Sequence, residues 1–128
     1  MGRMDDETPS AGTPGPDAAL LDEYADLVLS VTERIPSGRV MTYGDVAEFL
    51  ARGGPRQVGR VMALYGSAVP WWRVVRADGR PLPGHEREAL EQYRVEGTPL
   101  RATTAGDQRI DLRRARWDGS GDGVEGHI

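Results

Sequence analysis

Apolar residues return at helical spacing through the first half of the chain and only sporadically after it. Leu20, Tyr24, Leu27, Val28, Val31 and Ile35 share one face, the three- and four-residue recurrence of a core-facing helix. Asp17 is placed to cap that helix, and Pro36-Ser37-Gly38 stops it. Thr42, with Asp45 three residues on, predicts a capping-box start for a second helix. Val46, Phe49 and Leu50 lie on its inner face, and Gly53-Gly54 end it. Pro55 opens a third helix, with Val58, Met62 and Tyr65 inward and Arg56 and Arg60 on the opposite side. Two short helices joined by a glycine turn, the second with arginines on its free face, predict a helix-turn-helix. Beyond it, Asp78-Gly79 within 74–80 predicts a small hairpin, or wing. A fourth helix spans roughly 84–96, stopped by Gly97, and Ile110 and Leu112 alternate with polar residues as in a terminal strand. The pattern as a whole predicts a mostly α, winged-helix-like domain with a helix-turn-helix and a small β wing.

Residues 1–16 hold proline, glycine, threonine and acids with little that is apolar, and are expected to be a disordered tail. Residues 17–117 form the expected domain, and 118–128 a flexible tail. The Asp118-Gly-Ser-Gly-Asp-Gly run is acidic but lacks the carboxylate spacing of a calcium loop. A length of 128 residues suits one small core. No apolar run is long enough to cross a membrane, and the N-terminal residues lack the apolar centre of a secretion signal, so a cytoplasmic protein is expected.

Charge changes the picture once it is divided along the chain. The net charge is −4, yet residues 51–116 carry thirteen arginines against seven acids, while residues 1–50 carry three against ten. Every basic residue is arginine. The positive charge therefore gathers in the segment holding the helix-turn-helix, as a phosphate-facing surface requires. The chain has no cysteine, which excludes disulfides and any thiolate ligand or nucleophile. His85 and His127 lie 42 residues apart without a ligand cluster, so no metal and no cofactor is expected. No Gly-x-Ser-x-Gly elbow or phosphate-cradling glycine loop is present.

Three separated motifs carry a resemblance that spans roughly residues 20–116. Pro70-Trp71-Trp72-Arg73-Val74-Val75 resembles the Pro-Cys-His-Arg-Val loop of the O6-alkylguanine-DNA alkyltransferases, with Trp71 at the cysteine position and Trp72 at the histidine position. Ile35-Pro36-Ser37-Gly38 followed by Tyr43-Gly44-Asp45-Val46-Ala47 is similar to the family's Ile-Pro-x-Gly and Tyr-Gly-x-apolar-Ala run. Arg56-Gln57-Val58-Gly59-Arg60-Val61-Met62 is similar to its Arg-x-Val-Gly-x-x-Met helix. The resemblance is closest to the alkyltransferase-like proteins, which carry tryptophan in place of the reactive cysteine. These usually keep histidine after the tryptophan, so Trp72 is a departure that alters the back of the pocket. The interval between Met62 and Pro70 is about two residues shorter than in the true alkyltransferases, as the alkyltransferase-like group also tends to have it.

The resemblance implies a protein that binds duplex DNA containing alkylated guanine, as a monomer, without catalysis or cofactor. It implies minor-groove docking of helix 55–66, extrusion of the damaged base, and recruitment of nucleotide-excision repair proteins. Its DNA-binding residues fall on Thr42, Tyr43, Arg56, Gln57, Gly59 and Arg60. Its lesion pocket falls on Tyr43, Trp71, Trp72 and Arg73. Arg56 corresponds to the arginine finger that fills the gap left by the extruded base, and Tyr43 to the tyrosine that presses on the target phosphate. Gly59, a mid-helix glycine that costs about 1 kcal/mol relative to alanine, lets the helix backbone approach DNA. Trp71 supplies an aromatic wall for a flipped purine, and Arg73 orders the loop through backbone carbonyls. Glu96-Gly97 matches the family's supporting Glu-Gly pair, and with Trp72 replacing the histidine, Glu96 is left a structural role at a helix end. For Tyr43 a ring packed on the core, for Arg60 a solvated face, and for the basic stretch 109–117 a solvated strand remain as second readings. A winged-helix regulator that reads sequence in the major groove is the alternative for the whole chain.

Overall fold

The structure, a computed structural model, describes residues 16–120, with side chains from Glu23 onward. The two expected tails, apart from residues 16 and 118–120, and the predicted core position of the Leu20 side chain lie outside the described residues. Five helices and two small sheets are present: α1 (Pro16–Arg34), β1 (Met41–Thr42), α2 (Tyr43–Leu50), α3 (Pro55–Tyr65), β2 (Val74–Val75), α4 (Glu86–Glu96), β3 (Leu100–Ala102), β4 (Gln108–Ile110) and α5 (Leu112–Ala115). This is the mostly helical, winged-helix-like domain that the sequence predicts. No helix among the described residues is long and apolar enough to cross a membrane.

The helix-turn-helix is built as its sequence requires. At the N-terminus of α2, the Asp45 amide donates to Thr42 Oγ1 and the Thr42 amide to Asp45 Oδ2, each at 3.0 Å. Two otherwise orphaned donors are thereby satisfied. Helix α3 opens on Pro55, with the Gly54 amide donating to Gln57 Oε1 at 3.0 Å. Under both helices lies one core cluster in which Tyr24, Val28, Val31 and Ile35 of α1 meet Val46 and Ala47 of α2 and Val58, Val61 and Met62 of α3. Thr32, fully buried in α1, returns its hydroxyl to the Val28 carbonyl at 2.9 Å. A second cluster gathers Val40, Val75, Ala89, Tyr93, Ile110 and Ala115. Trp71 borders both clusters and sits at their seam.

Several local expectations are corrected. Helix α1 begins at Pro16, which puts Asp17 in its first turn and not at its cap. Helix α2 ends before the glycines, at Ala51, whose left-handed backbone (φ 57°) lets its amide return to the Ala47 and Glu48 carbonyls. Phe49 is 38% exposed and not an inner-face residue; its ring lies 6.4 Å from that of Trp117 and carries the Arg34 guanidinium 5.4 Å from its centre. Tyr65 is 43% exposed, because buried Gly66, wedged between Met62 and Trp71, already closes the core there.

The β structure also differs from the predicted wing. Asp78-Gly79 does turn the chain, with Gly79 N donating to the Arg76 carbonyl at 2.9 Å and Arg76 N to the Arg80 carbonyl at 2.8 Å. The preceding Val74–Val75 pairs instead in parallel with Met41–Thr42. The antiparallel hairpin is formed by β3 and β4, and Leu112 enters the one-turn helix α5 in place of a strand.

Gly79 joins the turn to the hairpin. Its φ is +84°, its carbonyl accepts the Ile110 amide at 3.0 Å, and a Cβ there would stand 2.8 Å from the Ile110 carbonyl oxygen. Gly84 has a similar φ of +88° and open space around it. Gly84→Ala is expected to cost about 1–2 kcal/mol, the left-handed backbone term alone, and Gly79→Ala clearly more. Urea denaturation of the two variants measures the difference, and equal losses would show that Gly79 is needed only for its backbone angle.

Candidate nucleic-acid interface

The free face of α3 presents Arg56, Gln57 and Arg60 to solvent, directly above the buried Val58, Val61 and Met62. Neither arginine has an acidic partner among the described residues. Leu64, further along, is 59% exposed. An exposed leucine and tyrosine beside two unpaired arginines make a cationic helix end with apolar contact area, and the sequence reading did not single out Leu64. Gln57 has a prior engagement, since its side-chain oxygen caps Gly54.

Thr42 is buried, and its amide and hydroxyl are both occupied in the α2 cap, which fixes the start of the helix beside Tyr43. The Tyr43 ring is half-buried against the core and lies across Gly59, where an added Cβ would meet it at 3.4 Å, an ordinary contact. Its hydroxyl is enclosed and has no hydrogen-bond partner. Burial raises the phenol above its ordinary pKa, and the nearby Arg76 charge opposes that only in part. An enclosed hydroxyl without a partner costs about 1–3 kcal/mol, so Tyr43 is poised to gain from an added acceptor. Arg76, exposed and facing Tyr43, is a further cation that the sequence reading missed.

Trp71, Trp72 and Arg73 form a single turn of 3-10 helix leading into β2. The two indoles meet edge to face, 5.7 Å apart at 83°, and His85 lies 5.5 Å from Trp71 on another side. Trp71 is thus half-buried, with its environment made of rings. Trp72 points its Nε1–H at Glu96 Oε2 (2.9 Å), while its carbonyl accepts the Tyr93 hydroxyl at 2.6 Å. The Arg73 guanidinium lies over the Trp72 ring at 5.7 Å, donates to the Ile35 carbonyl at 3.0 Å and pairs with Glu96 at 2.6 Å. The same carboxylate accepts the Gly38 amide at 3.0 Å. Glu96 is therefore a structural residue at the end of α4, and the Trp72 indole N–H is one of the donors that fill its carboxylate.

The structure thus assembles two groups of expected site residues. Tyr43, Gly59 and the arginines of α3 form one, and the Trp71–Arg73 turn with Glu96 forms the other. No hydrogen bond, ion pair or ring contact among the described residues joins them directly; the first core cluster does, since Tyr43 and Trp71 both pack on it. Two cavities lie elsewhere, between α4 and the β3–β4 hairpin and beside Trp117. No group of three or more histidine, aspartate or glutamate residues able to hold a metal occurs among the described residues.

Burial alone would raise the Glu96 carboxyl, but hydrogen bonds from Arg73, the Gly38 amide and the Trp72 indole outweigh it and hold the group below its ordinary value. A depressed carboxyl contributes stability that is complete above its unfolded pKa of about 4.3 and is lost as pH falls through the folded value. Glu96→Gln is expected to lower stability at pH 7 by about 1.5–3 kcal/mol, the weight of hydrogen bonds between charged groups. The gap between variant and parent should close below about pH 4.3, and chemical denaturation at pH 7, 5 and 3 checks it. A gap that stays constant to pH 3 would mean the charge contributes nothing.

Residues 23–96 match the family described as 6-O-methylguanine DNA methyltransferase, DNA binding domain. The chain is 38% identical over 104 residues to the Escherichia coli DNA base-flipping protein, covering 76% of each. It is 30% identical over 104 residues to Schizosaccharomyces pombe alkyltransferase-like protein 1, covering 76% of this chain and 96% of that one. The crystal structure of S. pombe Atl1 in complex with damaged DNA containing O6-carboxymethylguanine is similar with a TM-score of 0.66 at 28% identity, over 75% of this chain and 95% of that one. A fold built on a capped helix-turn-helix, with tryptophan where the family's loop holds its thiol, places this chain in the 6-O-methylguanine DNA methyltransferase DNA-binding-domain family, among the alkyltransferase-like proteins.

Proposed function

We propose that this protein is a non-enzymatic DNA-damage sensor that binds O6-alkylguanine in duplex DNA. In this reading α3 docks in the minor groove, Arg56 enters the stack as the target base leaves it, and Gln57 and Arg60 hold the backbone. Thr42 orients Tyr43, which presses on the phosphate of the rotated nucleotide and helps turn it outward. Trp71 forms the wall against the extruded base, with Trp72 and Arg73 holding that wall from behind. The protein acts as a monomer without cofactor, and its complex with DNA marks the site for nucleotide-excision repair proteins. Alkyl transfer to a cysteine is excluded by composition, because the chain has no cysteine to become a thiolate.

The observation that carries this reading is the Trp71–Arg73 turn. It holds a partly open indole in a rigid frame of hydrogen bonds to Glu96, Ile35 and Tyr93, in a fold similar to one solved with alkylated DNA. Base extrusion costs a few kcal/mol and less at a weakened pair, so a preformed wall favours damaged sites. The name of the E. coli relative, a DNA base-flipping protein, supports the same step.

Competition between an O6-methylguanine duplex and its undamaged counterpart tests the proposal: preference for the lesion is expected, and equal affinity overturns it. Arg56→Ala should weaken lesion binding at least about tenfold, about 1.4 kcal/mol, while changing undamaged binding far less. Equal losses would reduce Arg56 to a phosphate contact. Gly59→Ala separates stability from binding. It removes a helix cost of about 0.5–1 kcal/mol and its Cβ meets Tyr43 at an ordinary 3.4 Å, so the melting temperature should rise as duplex affinity falls. Undiminished affinity in that variant would show that α3 does not approach DNA at Gly59.

A further inference from the structure

A cavity of about 790 Å³ opens between α4 and the β3–β4 hairpin. Its walls contain no residue of α3 and none of the Trp71–Arg73 turn, so the proposed DNA contacts do not use it. Leu90, Tyr93, Leu100 and Ile110 line it with apolar surface. Arg80, Arg87, Arg94 and Arg109 line it with positive charge, against the acids Glu86 and Asp107. Arg80 has a loose 3.7 Å contact with Asp78, and Arg94 reaches only the Gln108 amide oxygen at 3.3 Å. Arg87, Arg94 and Arg109 have no acidic partner among the described residues.

Two further features leave this region short of negative charge. Arg109 stands directly across the hairpin from Arg101, an arrangement in which like charges destabilise the pair. Arg109 Nε is also enclosed without a hydrogen-bond partner. A guanidinium held in that position gains from an added acceptor, because each buried donor left unmade is costly. Arginines rimming a concavity with half-buried leucines in its wall are in keeping with a protein-binding surface.

We propose that this cleft is a docking site for an acidic peptide segment of a partner protein, one that alternates carboxylates with apolar side chains. The carboxylates pair with the rim arginines, where the guanidinium fork suits bidentate contact, and the apolar side chains cover the half-buried Leu90 and Leu100. A phosphodiester backbone matches the charge but brings no apolar surface to the leucines, so the cleft fits a peptide better than nucleic acid. The site is separate from the proposed lesion interface and can be filled while α3 is on DNA.

The test uses the full chain without DNA and a fluorescein-labelled dodecapeptide, three repeats of Asp-Leu-Glu-Phe. Anisotropy should show saturable binding, and Arg87→Ala/Arg94→Ala should weaken it at least about tenfold. Both arginines are exposed on α4 and alanine preserves the helix, so the variant should fold; its circular dichroism melt verifies that. Arg113→Ala/Arg114→Ala removes two exposed arginines that do not line the cleft and should change peptide binding less than about twofold. Affinity of the Arg87/Arg94 variant for undamaged duplex should equal that of the parent. No peptide binding overturns the proposal, as does an equal loss in the Arg113/Arg114 variant. A loss of duplex binding in the Arg87/Arg94 variant also overturns it, because the cleft would then be a nucleic-acid surface. Because no lesion is present, these outcomes are independent of whether the damage-sensing reading holds.

Discussion

The carboxylate of Glu96 gathers three stretches of chain that are far apart in sequence. It accepts the amide of Gly38 in the loop after α1, the indole N–H of Trp72 and the guanidinium of Arg73. Its side chain is 7% exposed and that of Arg73 17%. Charges so withdrawn from water stay ionised only when their hydrogen-bonding capacity is filled, and here it is filled from every side. The remaining guanidinium nitrogen fixes the end of α1 through the Ile35 carbonyl. The pose of the Trp71–Arg73 turn is therefore set by a buried ionic cluster and not by the turn's own three residues.

That rigidity suits the wall proposed for Trp71. An indole offers a flat, chemically inert face, and its value as a wall depends on being held still before the ligand arrives. Trp71 is held by position at the seam of two core clusters and by the rings of Trp72 and His85. The arginines of α3, by contrast, stand free in solvent. The architecture thus joins a packed aromatic element to an exposed cationic one, with the core beneath α3 connecting them.

Much of the helical frame was legible in the sequence, because its determinants are local. The Thr42–Asp45 cap, Pro55 at the start of α3 and the apolar spacing of α1 each act within a few residues. What escaped was set by distant chain. The Asp78-Gly79 turn was recognisable, but nothing near it announces that Val74–Val75 would pair with Met41–Thr42. Phe49 reads as a core residue until Trp117 and Arg34 close over it at the surface. The sequence implied that Glu96 had lost an imidazole partner; that an indole N–H at position 72 would donate to its carboxylate is a matter of reach and angle. The enclosed hydroxyl of Tyr43 and the nearby charge of Arg76 were equally invisible without coordinates.

The short parallel ladder between Met41–Thr42 and Val74–Val75 limits how the chain's length can vary. Thr42 is at once a ladder residue and the cap of α2, and Val74 follows the tryptophan turn directly. Inserting or deleting one residue between positions 70 and 75 would break either the Met41–Val74 and Thr42–Val75 register or the 3-10 turn that sets Trp72 against Glu96. By the same reasoning, the open turns at Gly84 and Gly106, with nothing packed against them, are where added residues can be absorbed without moving the loop.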